Sequence, residues 1–400
     1  MLRESTKYMI KDRYLEKAIS ADLKNKMVFI GGPRQVGKTT LAKQIGKTVY
    51  SDFVYYNWDS RDDRRELLSG KRAGETGLVI YDEIHKYKQW KNYIKGEFDK
   101  HKDDFDMLVT GSARLDLYRR GGDSLMGRYH YYRLHPFSVR ELLAVKSAVS
   151  AGRQPVFLPT DNTTSRAFAD LFAFGGFPEP LFAKKAATLR RFHNERLERL
   201  VKEDIRDLES LRDLSAIQIL VELLPGRVGS LLSLNSLRED LQVTHKTISL
   251  WMEVLEKFYY HFRIYPFAAS AIKSLRKEPK LYLWDWSQVE EEAARLENMA
   301  ASHLLKLVHY LYDTQGYKAE LHYLRDQEGR EVDFLVTIDK KPWLAVEVKL
   351  NSQAVENSVG YFAKRLKIPF IYQIVKENGL DYKKNGTRIM SADKFFSGLV

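Results

Sequence analysis

The sequence predicts an α/β protein: a parallel sheet built around a phosphate-binding loop, then a helical segment containing a helix–turn–helix, then a second α/β segment. Three observations carry that prediction. Gly32-Pro33-Arg34-Gln35-Val36-Gly37-Lys38-Thr39 has the full spacing of a P-loop, set between the apolar run Met27–Ile30 and a helix-like stretch from Thr40 to Ile45. As far as Val145, apolar runs alternate with helical patterns, the arrangement of a parallel sheet with helical crossovers. Leu234 to Trp251 then carries apolar residues at helical spacing on both sides of a short turn. These readings divide the chain into residues 1–146, 165–275 and 276–400, with 147–164, rich in Gly, Pro, Ser, Thr and Asn, as an exposed linker or loop.

In the first segment, the loop glycines let backbone N–H groups curl around phosphate oxygens, and the following helix N-terminus adds its dipole. Gly32, Pro33, Arg34, Gln35, Val36, Gly37, Lys38, Thr39 and Thr40 are therefore the nucleotide-binding candidates. Lys38 would neutralise the β- and γ-phosphates, and the Thr39 hydroxyl would ligand Mg²⁺. Asp52–Asn57 reads as a second strand. Leu78–Tyr81 is continuously apolar, as a strand covered on both faces must be, and it ends in Asp82-Glu83. There Asp82 would hold the Mg²⁺ and Glu83 would polarise the attacking water. Phe105–Val109 is the next strand and runs into Thr110-Gly111-Ser112. Ser112 or Thr110 could sense the γ-phosphate, and a plain polar turn is the alternative.

The last strand of this segment is Tyr129–Leu134, preceded by a loop rich in glycine and arginine. An arginine stabilises charge on a transferring phosphoryl group, whether it comes from the same chain or from a neighbouring copy. Arg128 is the first candidate and Arg114 the second, with solvation or contact to phosphate backbone as the alternative for either. Arg13 and Tyr14 stand as flanks of a nucleotide base or as surface residues.

Gly31–Thr40, Tyr81-Asp82-Glu83-Ile84-His85, Thr110-Gly111-Ser112-Ala113-Arg114 and Gly127-Arg128 with Leu134–Leu142 together resemble the AAA-type ATPases of a large prokaryotic family. Members of that family pair the ATPase module with a C-terminal domain of unknown function. Gly175-Gly176-Phe177-Pro178-Glu179-Pro180 is similar to the marker segment that follows the module. The resemblance implies an AAA-like strand arrangement and ATP binding, and it supplies no physiological role.

In the second segment, Leu237 and Leu241 share one face of a first helix, and Ile248, Trp251 or Met252, and Leu255 face the core from a second. His245, Lys246 and Ser249 are left outward, able to reach phosphates or base edges, and Tyr259–Pro266 alternates like the strand of a wing. In the third segment Val332, Phe334 and Val336 alternate with Asp333, and Leu344, Val346, Val348 and Leu350 alternate with Glu347 and Lys349. Antiparallel pairing would join Asp333, Glu347 and Lys349, with Glu297 on an upstream helix. This set resembles the PD-(D/E)xK nuclease core, which implies that Glu297, Asp333 and Glu347 serve a metal and that Lys349 aids a water. A surface ion-pair ladder is the alternative.

Composition narrows the function classes. Without cysteine, disulfides, zinc-thiolate sites and thiol nucleophiles are excluded. No apolar run approaches the ~20 residues of a membrane span, and the N-terminus lacks a secretory core, so the expectation is a cytoplasmic protein with no membrane partner. A formal net charge of +12 favours an anionic partner. The leading expectation is a DNA-associated ATPase, with a homo-oligomer as a further possibility. The alternatives are a nucleotide-operated switch whose C-terminal domain binds protein, and an ATP-gated, metal-dependent nuclease.

Overall fold

The computed structural model describes residues 12–69, 77–111, 125–145, 149–205, 213–268, 277–352 and 357–400. Its contacts divide the chain into two compact units, Met1–His135 and Pro136–Val400. The division falls before the predicted boundary at 146, and it does not separate residues 165–275 from 276–400.

The first unit is built on five parallel strands: β1 (Met27–Gly31), β2 (Phe53–Asn57), β3 (Leu78–Asp82), β4 (Asp106–Thr110) and β5 (Tyr129–Arg133), in the order β2-β3-β4-β1-β5. Helices α1 (Glu16–Asp22), α2 (Lys38–Val49), α3 (Arg61–Ser69) and α4 (Trp90–His101) accompany them. β1 and β3 are buried along their whole length, which is why they read as apolar runs, whereas the edge strands β2 and β5 are partly exposed. β1 lies between β4 and β5 rather than beside β2. Open α/β sheets bind ligands at the carboxyl ends of the strands where the order reverses in this way. The loop after β1 occupies that position.

The second unit carries an eight-stranded mixed sheet. In chain order its helices are α5 (Val139–Leu142), α6 (Asn162–Phe174), α7 (Pro178–Ala183), α8 (Ala186–Arg199), α9 (Leu214–Leu223), α10 (Leu234–Asp240), α11 (His245–Lys257), α12 (Glu292–Gln315), α13 (Asn357–Leu366) and α14 (Ala392–Ser397). Its strands are β6 (His261–Pro266), β7 (Lys280–Leu283), β8 (Ala319–Arg325), β9 (Glu331–Ile338), β10 (Lys341–Lys349), β11 (Phe370–Val375), β12 (Asp381–Lys384) and β13 (Thr387–Ser391). They lie in the order β12-β13-β11-β10-β9-β8-β6-β7. The long helix α12 packs on β8 and β10, and α13 packs on β9 and β10.

Helices α10 and α11 are the pair that the sequence predicts. Ser233 and Thr244 cap them by accepting from the backbone N–H groups of Ser236 and Thr247, and Leu237, Ile248, Trp251, Met252 and Leu255 are buried. The expected wing strand is β6, which pairs antiparallel with β7 and, at its end, parallel with β8. It thus belongs to the C-terminal sheet, and this shared sheet is why the second and third predicted segments form one unit. The predicted exposed linker is also tied down. Trp343 Nε1 donates to Arg153 O at 3.0 Å, Leu158 N donates to Ser397 Oγ at 3.0 Å, and the Phe157 ring packs 5.5 Å from Tyr372.

Strict alternation in β9 fails at one place. His322 pairs with Leu335 and Leu324 with Val332, so Asp333 and Phe334 together oppose Tyr323. This is a β-bulge, a feature that re-aims side chains. Val332 accordingly joins Leu335, Ala345, Val359 and Phe362 in one cluster instead of siding with Phe334.

Candidate nucleotide site and a carboxylate–lysine cluster

The phosphate loop takes its shape from residues that can adopt positive φ. Gly32 (φ 134°) faces the Leu134 carbonyl so closely that a Cβ would collide with backbone, and Gly37 (φ 101°) opens α2. Lys38, 8 % exposed, donates from Nζ to Gly32 O at 2.9 Å and to Pro33 O at 2.7 Å. Its ammonium is held across the loop where phosphate oxygens would be met. A brace that the sequence reading missed lies upstream. Arg13 is buried and donates from Nη1 to Val36 O at 2.9 Å and from Nη2 to His135 O, while the Tyr14 hydroxyl donates to Arg133 O at 2.7 Å. Arg13 is thus not a surface residue, and both side chains tie the segment before α1 to the loop and to the end of β5. The one sequence signal was the arginine–tyrosine pair itself, just ahead of the apolar Leu15.

Asp82 ends β3 and is a hub for three hydroxyls. Thr39 Oγ1 and the Tyr55 hydroxyl donate to Oδ2, both at 2.8 Å, and Thr110 Oγ1 donates to Oδ1. Burial of Leu78, Val79, Ile80 and Tyr81 contributes about 1.5–3 kcal/mol per side chain, which carries the strand. The three donors offset the cost of taking one carboxylate inside with them. A hydroxyl beside a carboxylate at a phosphate loop is an oxygen donor set suited to a hard cation such as Mg²⁺. Glu83 follows in the left-handed region (φ 57°), its N–H donating to Thr110 O at 3.0 Å. Such a conformation in a non-glycine residue is a strained one, of the kind found where a side chain must be aimed. Glu83 Oε2 lies 3.5 Å from His85 Nε2 and 3.7 Å from Lys86 Nζ. Burial pushes its carboxyl above the ordinary range, against the downward pull of Lys38, Lys86 and Arg34.

Other expected residues fall elsewhere. Arg128 stands at the start of β5, where its carbonyl accepts from Met27 N, whereas the loop follows Gly31 at the far end of the β1–β5 pair. Its guanidinium binds Asp99, Nε to Oδ1 at 2.7 Å and Nη2 to Oδ2 at 3.1 Å. The strands are parallel, so Arg128 sits at the edge of the sheet opposite its own phosphate loop. Arg133, paired with Gly31, is the β5 arginine at the loop edge. Ser112 and Arg114 lie outside the described residues; Thr110 is the polar residue of that turn placed on Asp82.

In the second unit the antiparallel pairing of β9 with β10 brings Asp333 to Glu347. Asp333 N donates to Glu347 Oε2 at 3.3 Å, Val348 N donates to Asp333 Oδ2 at 2.9 Å, and Lys349 Nζ lies 2.9 Å from Glu347 Oε1. Glu297 joins them from α12, accepting from the Tyr282 hydroxyl at 2.7 Å. The predicted residues are thus together, but they converge on a lysine that the sequence reading did not single out. Lys280 Nζ is 2.5 Å from Glu331 Oε1 and 3.5 Å from both Glu297 Oε1 and Asp333 Oδ1. Burial would lower its pKa, and the three carboxylates raise it further than burial lowers it. Burial and the Asp333 charge push Glu297 up to about 7 and Glu347 up to about 8, against Lys280 and Lys349 respectively. Burial likewise raises Asp333.

The Gly175-Gly176 pair also acquires a physical reason. A Cβ on Gly176 would lie 2.6 Å from Trp286 and 2.8 Å from Phe137 O, and one on Gly175 (φ 73°) would lie 2.8 Å from Asp285 Oδ1. Asp285 is buried beneath them. Burial alone would raise its pKa, but His193, Arg196 and Ser287 hold it down to about 2.

Residues 24–143 match the family model described as AAA domain. Residues 165–291 and 293–395 match two models described as domains of unknown function, DUF8612 and DUF4143. The chain is similar to an uncharacterized protein of Methanocaldococcus jannaschii, 24% identical over 88% of this chain and 82% of that one. It is also similar to an uncharacterized protein of Mycobacterium tuberculosis, 22% identical over 82% of this chain and 70% of that one. Among solved structures, the Aeropyrum pernix ORC1 protein in complex with DNA aligns over 76% of this chain and 96% of its own, at 12% identity and a TM-score of 0.35. The Thermotoga maritima RuvB Holliday junction branch migration motor aligns over 62% and 87%, at 18% identity and a TM-score of 0.29. No described helix is long and apolar enough to cross a membrane. The parallel sheet, the phosphate loop after β1, the acidic pair after β3 and the family match make the first unit a P-loop domain of AAA type.

Proposed function

We propose that the chain is an Mg²⁺-dependent ATPase whose second unit contacts DNA through the exposed side of α10 and α11. The observation that carries the ATPase reading is the 2.8 Å hydrogen bond between Thr39 and Asp82, which joins the phosphate loop to the acidic pair. Gly32 to Thr40 would bind the phosphates through backbone N–H groups, with Lys38 turning its ammonium from the loop carbonyls to the phosphate oxygens. Thr39 and Asp82 would hold Mg²⁺, which when bound neutralises charge on the β- and γ-phosphates. Glu83 would take a proton from the attacking water, and burial raises its pKa in the direction that strengthens a carboxylate base. Thr110 orients Asp82 from the neighbouring strand.

DNA contact is supported by the +12 charge and by His245 and Lys246, exposed in the first turn of α11 with Ser249 beside them. The test is the steady-state ATPase rate with and without duplex and single-stranded DNA over a salt series, with Glu83→Gln as the blank. A rate that rises with DNA and falls back with salt supports both halves of the reading. A rate indifferent to DNA leaves the ATPase and removes the DNA role. A wild-type rate no greater than that of Glu83→Gln removes the ATPase.

A further inference from the structure

The nuclease-like set implies a divalent cation held by Glu297, Asp333 and Glu347, and the residues present do not fit one. Such a cation needs several oxygen ligands at about 2.0–2.6 Å. Here the position between the carboxylates is taken by the ammonium of Lys280, a residue 3 % exposed, at 3.5 Å from Glu297 Oε1 and from Asp333 Oδ1. The carboxylate oxygens already receive protein donors: Tyr282 on Glu297 Oε1, Val348 N on Asp333 Oδ2, Lys349 on Glu347 Oε1 and Asp333 N on Glu347 Oε2. Among the described residues no group of three or more His, Cys, Asp or Glu side chains is arranged to hold a metal. An ammonium within ion-pair distance of two of the three would-be ligands also places like charge against any cation that entered.

We infer that Lys280 is the resident counter-ion of this cluster, and that the C-terminal sheet holds its carboxylates together without a divalent metal. The origin of the lysine gives the arrangement a purpose that a metal could not serve. Lys280 opens β7, the partner of β6, which follows the helix pair α10–α11, and its backbone bridges to Leu231 just before that pair. From there its side chain passes over the Tyr323 ring, 5.8 Å from the centroid, to reach β9 and α12. One ion-paired side chain therefore ties β7, at the edge of the sheet beside the helix pair, to β9 and α12. On this reading the domain is a non-cleaving module, and its carboxylates are structural acceptors for Lys280. The inference is independent of the ATPase reading, because every residue in it belongs to the second unit.

The test is Mn²⁺ binding to the full chain without nucleotide, read as loss of the free-ion electron paramagnetic resonance signal, for wild type, Asp333→Asn, Lys280→Met and Lys280→Met/Asp333→Asn. The wild type and Asp333→Asn are expected to bind equally, whatever the rest of the chain takes. Lys280→Met is expected to gain about one Mn²⁺ per chain, which the added Asp333→Asn removes. Wild-type Mn²⁺ that disappears with Asp333→Asn overturns the inference. So does a folded Lys280→Met that gains nothing, since the lysine is then not what keeps a cation out. If Lys280→Met does not fold, the comparison of wild type with Asp333→Asn decides alone, with Lys280→Arg expected to match the wild type.

Discussion

Asp82→Asn probes the point where the phosphate loop, β2, β3 and β4 meet. The carboxylate accepts from Thr39 and Tyr55 on Oδ2 and from Thr110 on Oδ1. A hydrogen bond to a charged acceptor contributes about 1.5–3 kcal/mol and a neutral one about 0.5–1.5 kcal/mol, so three weakened bonds set a ceiling of about 3–4 kcal/mol. Asparagine keeps one acceptor oxygen, and its NH₂ can donate to a hydroxyl that turns to receive it, which brings the expected loss to about 1–2 kcal/mol. The larger effect is on the cation. At 100 times its Kd a ligand stabilises the folded state by about 2.7 kcal/mol, and the part of this that requires Mg²⁺ depends on Asp82. Calorimetric unfolding of wild type and variant, alone, with ATP and excess EDTA, and with MgATP, separates the two terms. The variant should unfold at a lower temperature in every condition and show no gain from ATP–EDTA to MgATP. A variant with the wild-type midpoint and the wild-type Mg²⁺ increment would refute the assignment of Asp82 as both hub and cation ligand.

Lys38→Ala removes the one loop side chain whose ammonium is held at the phosphate position, and titration calorimetry should find ATP binding abolished; unchanged affinity would remove the site. Glu83→Gln should keep nucleotide affinity and lose hydrolysis by about 10²–10⁴-fold, as a missing general base predicts. Because burial raises the Glu83 pKa, the base is lost as pH falls through a value above the ordinary carboxylate range. Lys86 pulls that pKa down, so Lys86→Ala should move the acid limb of the pH–rate profile to still higher pH, and a shift downward would contradict the placement. Glu297 and Glu347 have folded-state values above their unfolded ones, so the stability they contribute is present below the ordinary carboxylate value and lost as pH rises through about 7 to 8. The second unit should therefore unfold at a lower temperature at pH 8 than at pH 5.5, and Glu347→Gln should flatten the dependence; an unchanged slope would mean that Glu347 is ionised throughout. Arg128→Ala should leave the ATPase rate of the dilute chain unaltered; a large loss there would contradict its placement on Asp99 at the far edge of the sheet, and a loss confined to high protein concentration would show it acting on a neighbouring copy.

What the sequence made legible was what is local. The loop spacing, the unbroken apolar run before Asp82 and the helix pair at 234–251 are each written within a few residues, and each forms as read. The P-loop strand was legible because burial on both faces leaves no polar residue in β1. What stayed hidden depends on partners distant in the chain. Arg13 is informative only once Val36 and His135 are beside it. Tyr55 acquires meaning through Asp82, and Lys280 through Glu297, Glu331 and Asp333. The stretch 147–164 reads as linker or loop because its Gly, Pro and Ser content describes irregular backbone, but that content says nothing of Phe157, which packs against Tyr372 and Phe395. The alternation in β9 misled for a comparable reason, since a bulge is one extra residue that period-two counting cannot see.

The direction of the strands bears on how charge on a transferring phosphoryl group would be met. β5 runs parallel to β1 and spans Tyr129–Arg133, so at about 3.3 Å per residue its two ends lie well over ~10 Å apart. An arginine before the strand and one at its end cannot serve the same site. The motif that suggested Arg128 is a sequence neighbourhood, whereas the chemistry needs a place at the carboxyl edge, and the pairing of Gly31 with Arg133 gives that place to a different residue. Arg34, inside the loop, lies close enough to Glu83 to pull its pKa down. A cation that already acts on the base stands within the same electrostatic neighbourhood as the phosphates the loop would hold. The same-chain reading of the arginine therefore rests on Arg34 and Arg133, and Arg128 retains a catalytic part only if a second copy presents its own carboxyl edge to the opposite face of this sheet.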